Sequence, residues 1–323
     1  MSLEFTLSSP EPSTTAAEDK VHDVVIIGSG PAGFAAALYT SRAHLDTIVI
    51  TGHELGGQVA ATWEVDNYPG FPDGVTGPEL VEKMQKHAER FGARFEMDQI
   101  TAIDLSKRPF TLTGNVGTYA AKAVIVATGA SPRKLNVPGE KELTGRGVSY
   151  CATCDGYFFQ DKEIAVVGGG DSALEEALFL TRYAQVTIIH RRDELRAGPT
   201  MQKRARENEK IRFVWDSVVE EIIGDTAVRA VRLRNVKTGE LSDLTVDGAF
   251  IVIGHPPNTQ LFAGQLEMDQ RGYLETDRRM RSNVQGVWVA GEAGDPDFRQ
   301  VITSAGMGAA AAIEAQRWLA GQE

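Results

Sequence analysis

The sequence predicts an α/β protein containing two Rossmann-like units. Three observations carry that prediction. An apolar strand running into a glycine-rich turn occurs twice, at residues 24–33 and 164–173. Each turn leads into a helix-compatible stretch and a second β-branched strand. Each half then closes on a further apolar strand that ends in glycine. Strand, glycine turn, helix, strand is the repeating piece of a doubly wound sheet.

In the first unit, Val24-Val-Ile-Ile is the strand and Gly28-Ser29-Gly30-Pro31-Ala32-Gly33 the turn. The helix is expected to reach about Arg42, and Thr47-Ile-Val-Ile50 is the second strand. Ala123 to Ala127, followed by Thr128 and Gly129, closes the half. In the second unit, Ile164-Ala-Val-Val leads into Gly168-Gly169-Gly170-Asp171-Ser172-Ala173. Its helix runs to about Arg182, its second strand is Val186-Thr-Ile-Ile189, and Ala249 to Ile253 with Gly254 closes it. Segments 226–236 and 244–246 read as an antiparallel hairpin. The tail offers a strand at 286–291 and an Ala-rich helix at 299–319, interrupted by Gly306 and Gly308. Proline-containing connectors lie at 131–138 and 255–258.

The chain has 323 residues, enough for two domains with separate cores. Its 33 basic and 44 acidic residues give a formal charge of −11. That balance disfavours nucleic acid, which is bound mainly by neutralising phosphates, and leaves no long basic face for an anionic membrane. No stretch is apolar for long enough to span a bilayer. Residues 1–20 are rich in Ser, Thr, Glu and Pro and lack the features of a secretory signal. They read as a disordered extension, and the expected location is cytoplasmic.

A lone GxGxxG is weak, since about one chain in three of this length and glycine content would show one by chance. Here both glycine turns follow an apolar strand and precede a helix. The first glycine allows the tight turn, the second lets backbone approach a pyrophosphate, and the third lets helix and strand pack. The alternative is a tight βα turn without a ligand. After the second strand of the second unit come His190-Arg191-Arg192-Asp193-Glu194-Leu195-Arg196. Three arginines there suit a 2′-phosphate, because guanidinium pairs bidentately with phosphate oxygens, and so favour NADPH over NADH. A solvated basic patch is the bland reading. The first unit has Thr51-Gly52 at that place and Glu54 as the nearest carboxylate. That departs from the rule that an acid binds the ribose.

The two cysteines of the chain stand at Cys151-Ala-Thr-Cys154, followed by Asp155. Random placement would give that spacing in roughly one chain in 150. Two residues are too few for structural zinc, so no metal site is expected. In a reducing compartment a close pair points to redox catalysis, and a pair at a helix start can close a reducible disulfide with one activated sulfur. Asp155 could exchange a proton with a thiol, or simply favour the helix N-terminus; the two readings are compatible.

In order and spacing, these elements resemble the bacterial-type, low-molecular-weight thioredoxin reductases, from about Val21 to Leu319. The motifs that carry the resemblance are GxGxxG, Ala127-Thr128-Gly129, Cys-Ala-Thr-Cys-Asp, Gly-Gly-Gly-Asp-Ser-Ala and His-Arg-Arg-Asp-x-x-Arg. The resemblance implies three-layer ββα domains, one inserted in the other. Residues 21–133 and 259–323 would bind FAD, and 134–258 would bind NADPH and carry the redox pair. FAD would be lined by Gly28 to Gly33, Thr51, Gly57, Gln58, Asn67, Ala127 to Gly129, Gly291, Glu292, Arg299, Gln300 and Val301. NADPH would be held by Gly168 to Ala173, His190, Arg191, Arg192, Arg196, Ile253 and Gly254. The resemblance also implies that Cys154 faces the flavin, that Cys151 attacks the substrate and that Asp155 transfers the proton.

It further implies reduction of thioredoxin by a homodimer whose NADPH domain swivels on the two connectors. Glu292 departs from the family pattern, which has Asp at that place. Tyr157 and Phe158 are either core or an apolar contact for thioredoxin, with Arg146 at the rim. Two other readings stay open at the level of sequence. One is a related flavin-dependent reductase or oxidase with another dithiol partner; the other is a flavin redox sensor.

Overall fold

A computed structural model describes residues 20–322 apart from Glu54 and Trp63. Residues 1–19 of the expected extension, and Glu54, therefore lie outside the described residues.

The chain opens on β1 (Val21–Ile27), α1 (Pro31–Arg42) and β2 (Thr47–Ile50), with β1 and β2 parallel. α2 (Gly77–Glu89) starts where the Thr76 hydroxyl accepts the Glu79 N–H, and leads to edge strand β3 (Arg94–Glu96). β4 (Ile100–Asp104), β5 (Phe110–Gly114) and β6 (Thr118–Val126) form an antiparallel meander. β6 then lies parallel to β1, with Val124 opposite Val25.

The second sheet is built from β7 (Val148–Ser149), β8 (Glu163–Val167), β9 (Gln185–Ile189), β10 (Ile211–Val214) and β14 (Gly248–Ile251), in the order β10-β9-β8-β14-β7. Between them run α3 (Ala152–Asp155), α4 (Asp171–Leu180) and α5 (Pro199–Arg206). β11 (Ser217–Gly224), β12 (Val228–Asn235) and β13 (Leu241–Thr245) make a separate antiparallel sheet. Finally β15 (Val287–Val289) re-enters the first sheet beside β6, and α6 (Val301–Ala320) ends the fold.

Alternation along the strands builds the layers. Val24 and Ile26 point toward the alanine-rich faces of α1 and α6, and Val25 and Ile27 toward the opposite core. In the second sheet Ile164 and Val166 pack with α4 and α5, while Ala165 and Val167 pack with β11 and β12. The inner parallel strands β2 and β14 are buried throughout, and β1, β8 and β9 nearly so, which is why these segments read as continuous apolar runs.

Two expectations need correction. The hairpin at 226–246 exists as β12 and β13, but it has a further partner, β11. The register shift between Val219 and Glu221 explains why β11 lacks clean alternation in Val-Val-Glu-Glu-Ile-Ile. The tail helix is not interrupted either: α6 runs unbroken through Gly306 and Gly308. A Cβ on Gly308 would sit 2.1 Å from the Ala32 carbonyl oxygen, so this glycine lets α1 and α6 touch. That packing offsets the glycine's helix penalty of about 1 kcal/mol.

The two connectors run side by side. Ser131 N–H donates to Pro256 O at 3.1 Å, Arg133 N–H to Gly254 O at 2.9 Å and Asn258 N–H to Gly129 O at 2.9 Å. The Asn258 amide also donates to Thr128 O and Ser131 Oγ. The crossing between the two sheets is thus a short two-stranded ribbon.

Candidate active site

The first glycine turn sets one wall of a cleft of about 1240 Å³. Gly28 has φ +107°, and a Cβ there would lie 2.2 Å from Ala127 O. A Cβ on Gly33 would lie 2.0 Å from Gly28 O. Both glycines are needed to seat α1 against β1 and β6. Gly30 differs. As N-cap of α1 its φ is −72°, a value any residue adopts, and nothing lies within 4 Å of its missing Cβ. It lines the cleft, so the space a side chain would fill is left to a ligand. No side chain caps α1 and no acid sits in its first turn, so its N–H groups and dipole suit a pyrophosphate.

The remaining residues assigned to FAD converge on the same cleft. Ser29 accepts from Gly56 N–H and donates to Thr51 O, tying the turn to the end of β2. Gly57 comes close to Gly30, Asn67 donates to the Gln300 side chain at 3.3 Å, and Thr128 to Asn258 O at 2.7 Å. Gln300 caps α6 through Thr303. Gly33 alone of the set is packing rather than lining. Glu292 faces His255 with 3.2 Å between Oε2 and Nε2. The pair is not aligned for a hydrogen bond, and both atoms are buried without such a partner among the described residues. A buried, unsatisfied carboxylate oxygen on the cleft wall is what a hydroxyl-bearing ligand would satisfy. Open space at Gly30, the uncapped α1 and this oxygen together fit FAD.

An alanine at position 30 should therefore separate folding from binding. Gly30→Ala is expected to keep the wild-type unfolding midpoint while weakening FAD retention by roughly tenfold or more, about 1.4 kcal/mol. Gly28→Ala should instead destabilise the fold by about 1–3 kcal/mol through its left-handed backbone and the clash with Ala127. The ratio of flavin to protein after gel filtration checks the first. Full FAD occupancy in Gly30→Ala would show that the ligand does not approach there.

The cysteines face this same cleft from the other sheet. They form a disulfide with Cα atoms 5.3 Å apart. Cys151 caps α3, and its Sγ accepts the Cys154 N–H at 3.2 Å. Ser149 Oγ accepts the Cys151 N–H. Burial pushes the Asp155 carboxyl above its usual range, opposed by a hydrogen bond from Ser149, so Asp155 can hold a proton beside the pair. Glu176, on α4, accepts the Ala152 N–H at 3.1 Å. Burial pushes its carboxyl up to about 7, against the pull of Ala152 N–H, Arg299 and His255. The sequence reading misses Ser149 and Glu176, and places His255 and Asn258 only as the ends of a hinge connector, with no part in the site. Glu176 lies in an unremarkable helical Glu-Glu pair, and only folding brings it under α3.

The second glycine turn lies elsewhere. Of the residues assigned to NADPH, only Ser172 lines the cleft. Arg191, Arg192 and Arg196 are exposed past the end of β9, with Arg196 3.8 Å from where a Gly170 Cβ would be. His190 is turned inward: it is buried, packed under Gly169, with Nε2 3.0 Å from Glu194 O. Burial lowers its pKa, and its ring supports the glycine turn from below. Gly254 accepts from Arg133 in the connector ribbon, apart from the arginines in sequence and in hydrogen bonding. Among the described residues no group of three or more His, Cys, Asp or Glu could hold a metal, and no helix is long and apolar enough to cross a membrane.

A disulfide on one wall and a dinucleotide cradle on the other define a small set of enzymes, and comparison with known proteins decides among them. Residues 22–310 match the family model described as pyridine nucleotide-disulphide oxidoreductase. A thioredoxin reductase of Streptomyces coelicolor is 56% identical, covering 93% of this chain and 94% of the relative. The chain belongs to the pyridine nucleotide-disulphide oxidoreductase family and, within it, to the thioredoxin reductases. Among solved structures, thioredoxin reductase from Streptococcus pyogenes superposes with a TM-score of 0.90 at 43% identity, covering 93% of this chain and 99% of that one. Thioredoxin reductase from Lactococcus lactis, described as in an FR conformation, is 45% identical with the same coverage, yet its TM-score is 0.62.

Proposed function

We propose that this protein is an NADPH-dependent, FAD-containing enzyme that reduces the disulfide of thioredoxin through Cys151 and Cys154. The observation that carries the reading is the Cys151–Cys154 disulfide lining the same cleft as the first glycine turn. In this reading residues 21–133 and 259–323 are the FAD domain, and 134–258 the NADPH domain.

The chemistry FAD supplies when bound is the two-electron relay from NADPH to the disulfide. The protein's own part is thiol chemistry. Reduction cleaves the Cys151–Cys154 bond with two electrons and two protons. The Cys151 thiolate then attacks one sulfur of the thioredoxin disulfide, forming a mixed disulfide and releasing the other sulfur as thiolate. Cys154 attacks Cys151 Sγ, which restores the internal disulfide and expels reduced thioredoxin. Asp155, whose pKa burial raises, is placed beside the pair to exchange a proton with a departing thiolate or an attacking thiol. A redox sensor would show one reduction event and no sustained turnover, so continuous NADPH oxidation on addition of thioredoxin tests the reading.

Nucleotide choice is part of the proposal. Arg191, Arg192 and Arg196 would hold the 2′-phosphate, with the α4 N-terminus facing the pyrophosphate. Replacing Arg191 and Arg192 with Ala should raise KM for NADPH by roughly ten- to a hundredfold per lost contact, since charge-assisted hydrogen bonds contribute about 1.5–3 kcal/mol each. KM for NADH should barely move. Equal losses for the two nucleotides would remove the 2′-phosphate assignment.

Docking of thioredoxin is assigned to Tyr157, with Arg146 at the rim. Tyr157 is 60% exposed, whereas Phe158 packs against the second core. Tyr157→Ala should raise KM for thioredoxin about fivefold or more, in line with loss of an aromatic anchor. It should leave reduction of a small disulfide dye unchanged; a parallel drop with the dye would place Tyr157 in the fold instead. The same proposal has the enzyme working in the cytoplasm as a homodimer, a state that sedimentation of the holoenzyme reads directly.

A further inference from the structure

Beside the redox pair lies a carboxyl that the thiol chemistry above leaves idle. Glu176 reaches from α4 to α3, where its Oε2 takes the Ala152 N–H at 3.1 Å. That donor lies between the two cysteines, in the first turn of the helix that carries them. Groups from every side bear on it. Arg299, from the segment before α6, and His255, from the connector, act on it across the cleft, and Glu175 is its acidic neighbour on α4. Asp155 is the other carboxyl of α3.

We propose that Glu176 is a positioning residue for the redox pair: it fixes the first turn of the cysteine helix and sets the charge against which the Cys151 thiolate forms. The inference rests on reading Cys151–Cys154 as the redox pair. Unpaired N–H groups at a helix start stabilise a thiolate and lower its pKa. A carboxylate that takes such an N–H removes that help and adds a like charge nearby, so it holds the thiol pKa up. Because burial pushes the Glu176 carboxyl up to about 7, this restraint is full above neutrality and is released as the carboxyl takes a proton at lower pH. Glu176 thus limits how much of Cys151 stands as a nucleophile when no substrate is present.

The test is the pH dependence of Cys151 alkylation. Holoenzyme reduced with NADPH is pulsed with iodoacetamide across the neutral range, and the labelled cysteines are mapped by mass spectrometry. Glu176→Gln keeps an oxygen to accept the Ala152 N–H but carries no charge. Its alkylation midpoint at Cys151 should fall by about half a pH unit or more, roughly threefold faster labelling on the acid side. Glu176→Asp, which keeps the charge, should return most of the way to wild type. A midpoint in Glu176→Gln within about 0.2 units of wild type would overturn the proposal. If wild-type Cys151 stayed unlabelled after NADPH reduction, the redox-pair reading itself would be wrong.

Discussion

Cys154→Ser is expected to lose thioredoxin turnover by roughly a thousandfold or more while keeping the ability to capture thioredoxin. The chain has two cysteines, so no other thiol can resolve a mixed disulfide on Cys151. Resolution by Cys154 is intramolecular. Its sulfur is bonded to Cys151 in the oxidised protein, and the Cys154 N–H donates to Cys151 Sγ at 3.2 Å. Well-oriented intramolecular steps reach effective molarities of about 10⁵ M and above, which an external thiol cannot replace. Capture can be read with a thioredoxin whose attacking cysteine carries thionitrobenzoate and whose second cysteine is Ser. Cys151 attacks its sulfur, the coloured thiolate leaves, and a stable mixed disulfide remains. Cys151→Ser should release no colour at a comparable rate. Capture by Cys151→Ser and none by Cys154→Ser would reverse the two roles.

How much of this was legible in the sequence differs from element to element. The two βαβ units stood out because parallel strands buried on both faces are written as unbroken β-branched runs, and because glycine is required where β1 meets β6 at Ala127. α2 went unread: its apolar residues, Leu80 and Val81 among them, pack on a small satellite core with Phe34 and Val59. β11 was hidden by its bulge.

The site followed the same division. Motif residues with fixed local jobs, such as Gly28, Gly30, Cys151 and Cys154, are named from their spacing together with the strands and helices around them. His190 falls in the sequence motif assigned to NADPH, and the fold adds that its ring lies under Gly169. Glu176 acts through a tertiary contact with α3 across 24 residues of sequence, which leaves no periodic trace, whereas Ser149 acts locally, two residues before Cys151. Glu292 was read as a departure from a family pattern. The structure adds that its carboxylate meets the His255 imidazole, a pairing between tail and connector that no local motif encodes.

With residues 134–258 as the proposed NADPH domain, a lock on the arrangement in this structure should block hydride entry from NADPH by roughly a hundredfold or more and leave chemical reduction by dithionite intact. The expectation starts from what shares the cleft. The disulfide and nearly all the residues assigned to FAD line it, whereas Arg191, Arg192, Arg196 and the second glycine turn apart from Ser172 do not. In the proposed mechanism nicotinamide and disulfide must both reach the flavin, and, Ser172 apart, only the disulfide of the two sites lines the cleft proposed to hold it, so the mechanism calls for a second arrangement. The two solved thioredoxin reductases compared above support two arrangements of one fold. They resemble this chain almost equally in sequence and coverage but differ widely in superposition, as expected when rigid domains are set differently. The ribbon of 131–138 and 255–258 is the proposed hinge. The two connectors bond to each other through Ser131, Arg133 and Asn258, while Pro138 O also accepts the Ile222 N–H of β11 and His255 O the Tyr273 hydroxyl, so a turn would be taken up between those anchors. A bifunctional cross-link between the domains, mapped by mass spectrometry, supplies the lock. Anaerobic bleaching of the flavin band by NADPH and by dithionite reads the outcome. A verified lock with unchanged steady-state turnover on thioredoxin would mean that both partners reach the flavin without rotation, and the two-state model would fail.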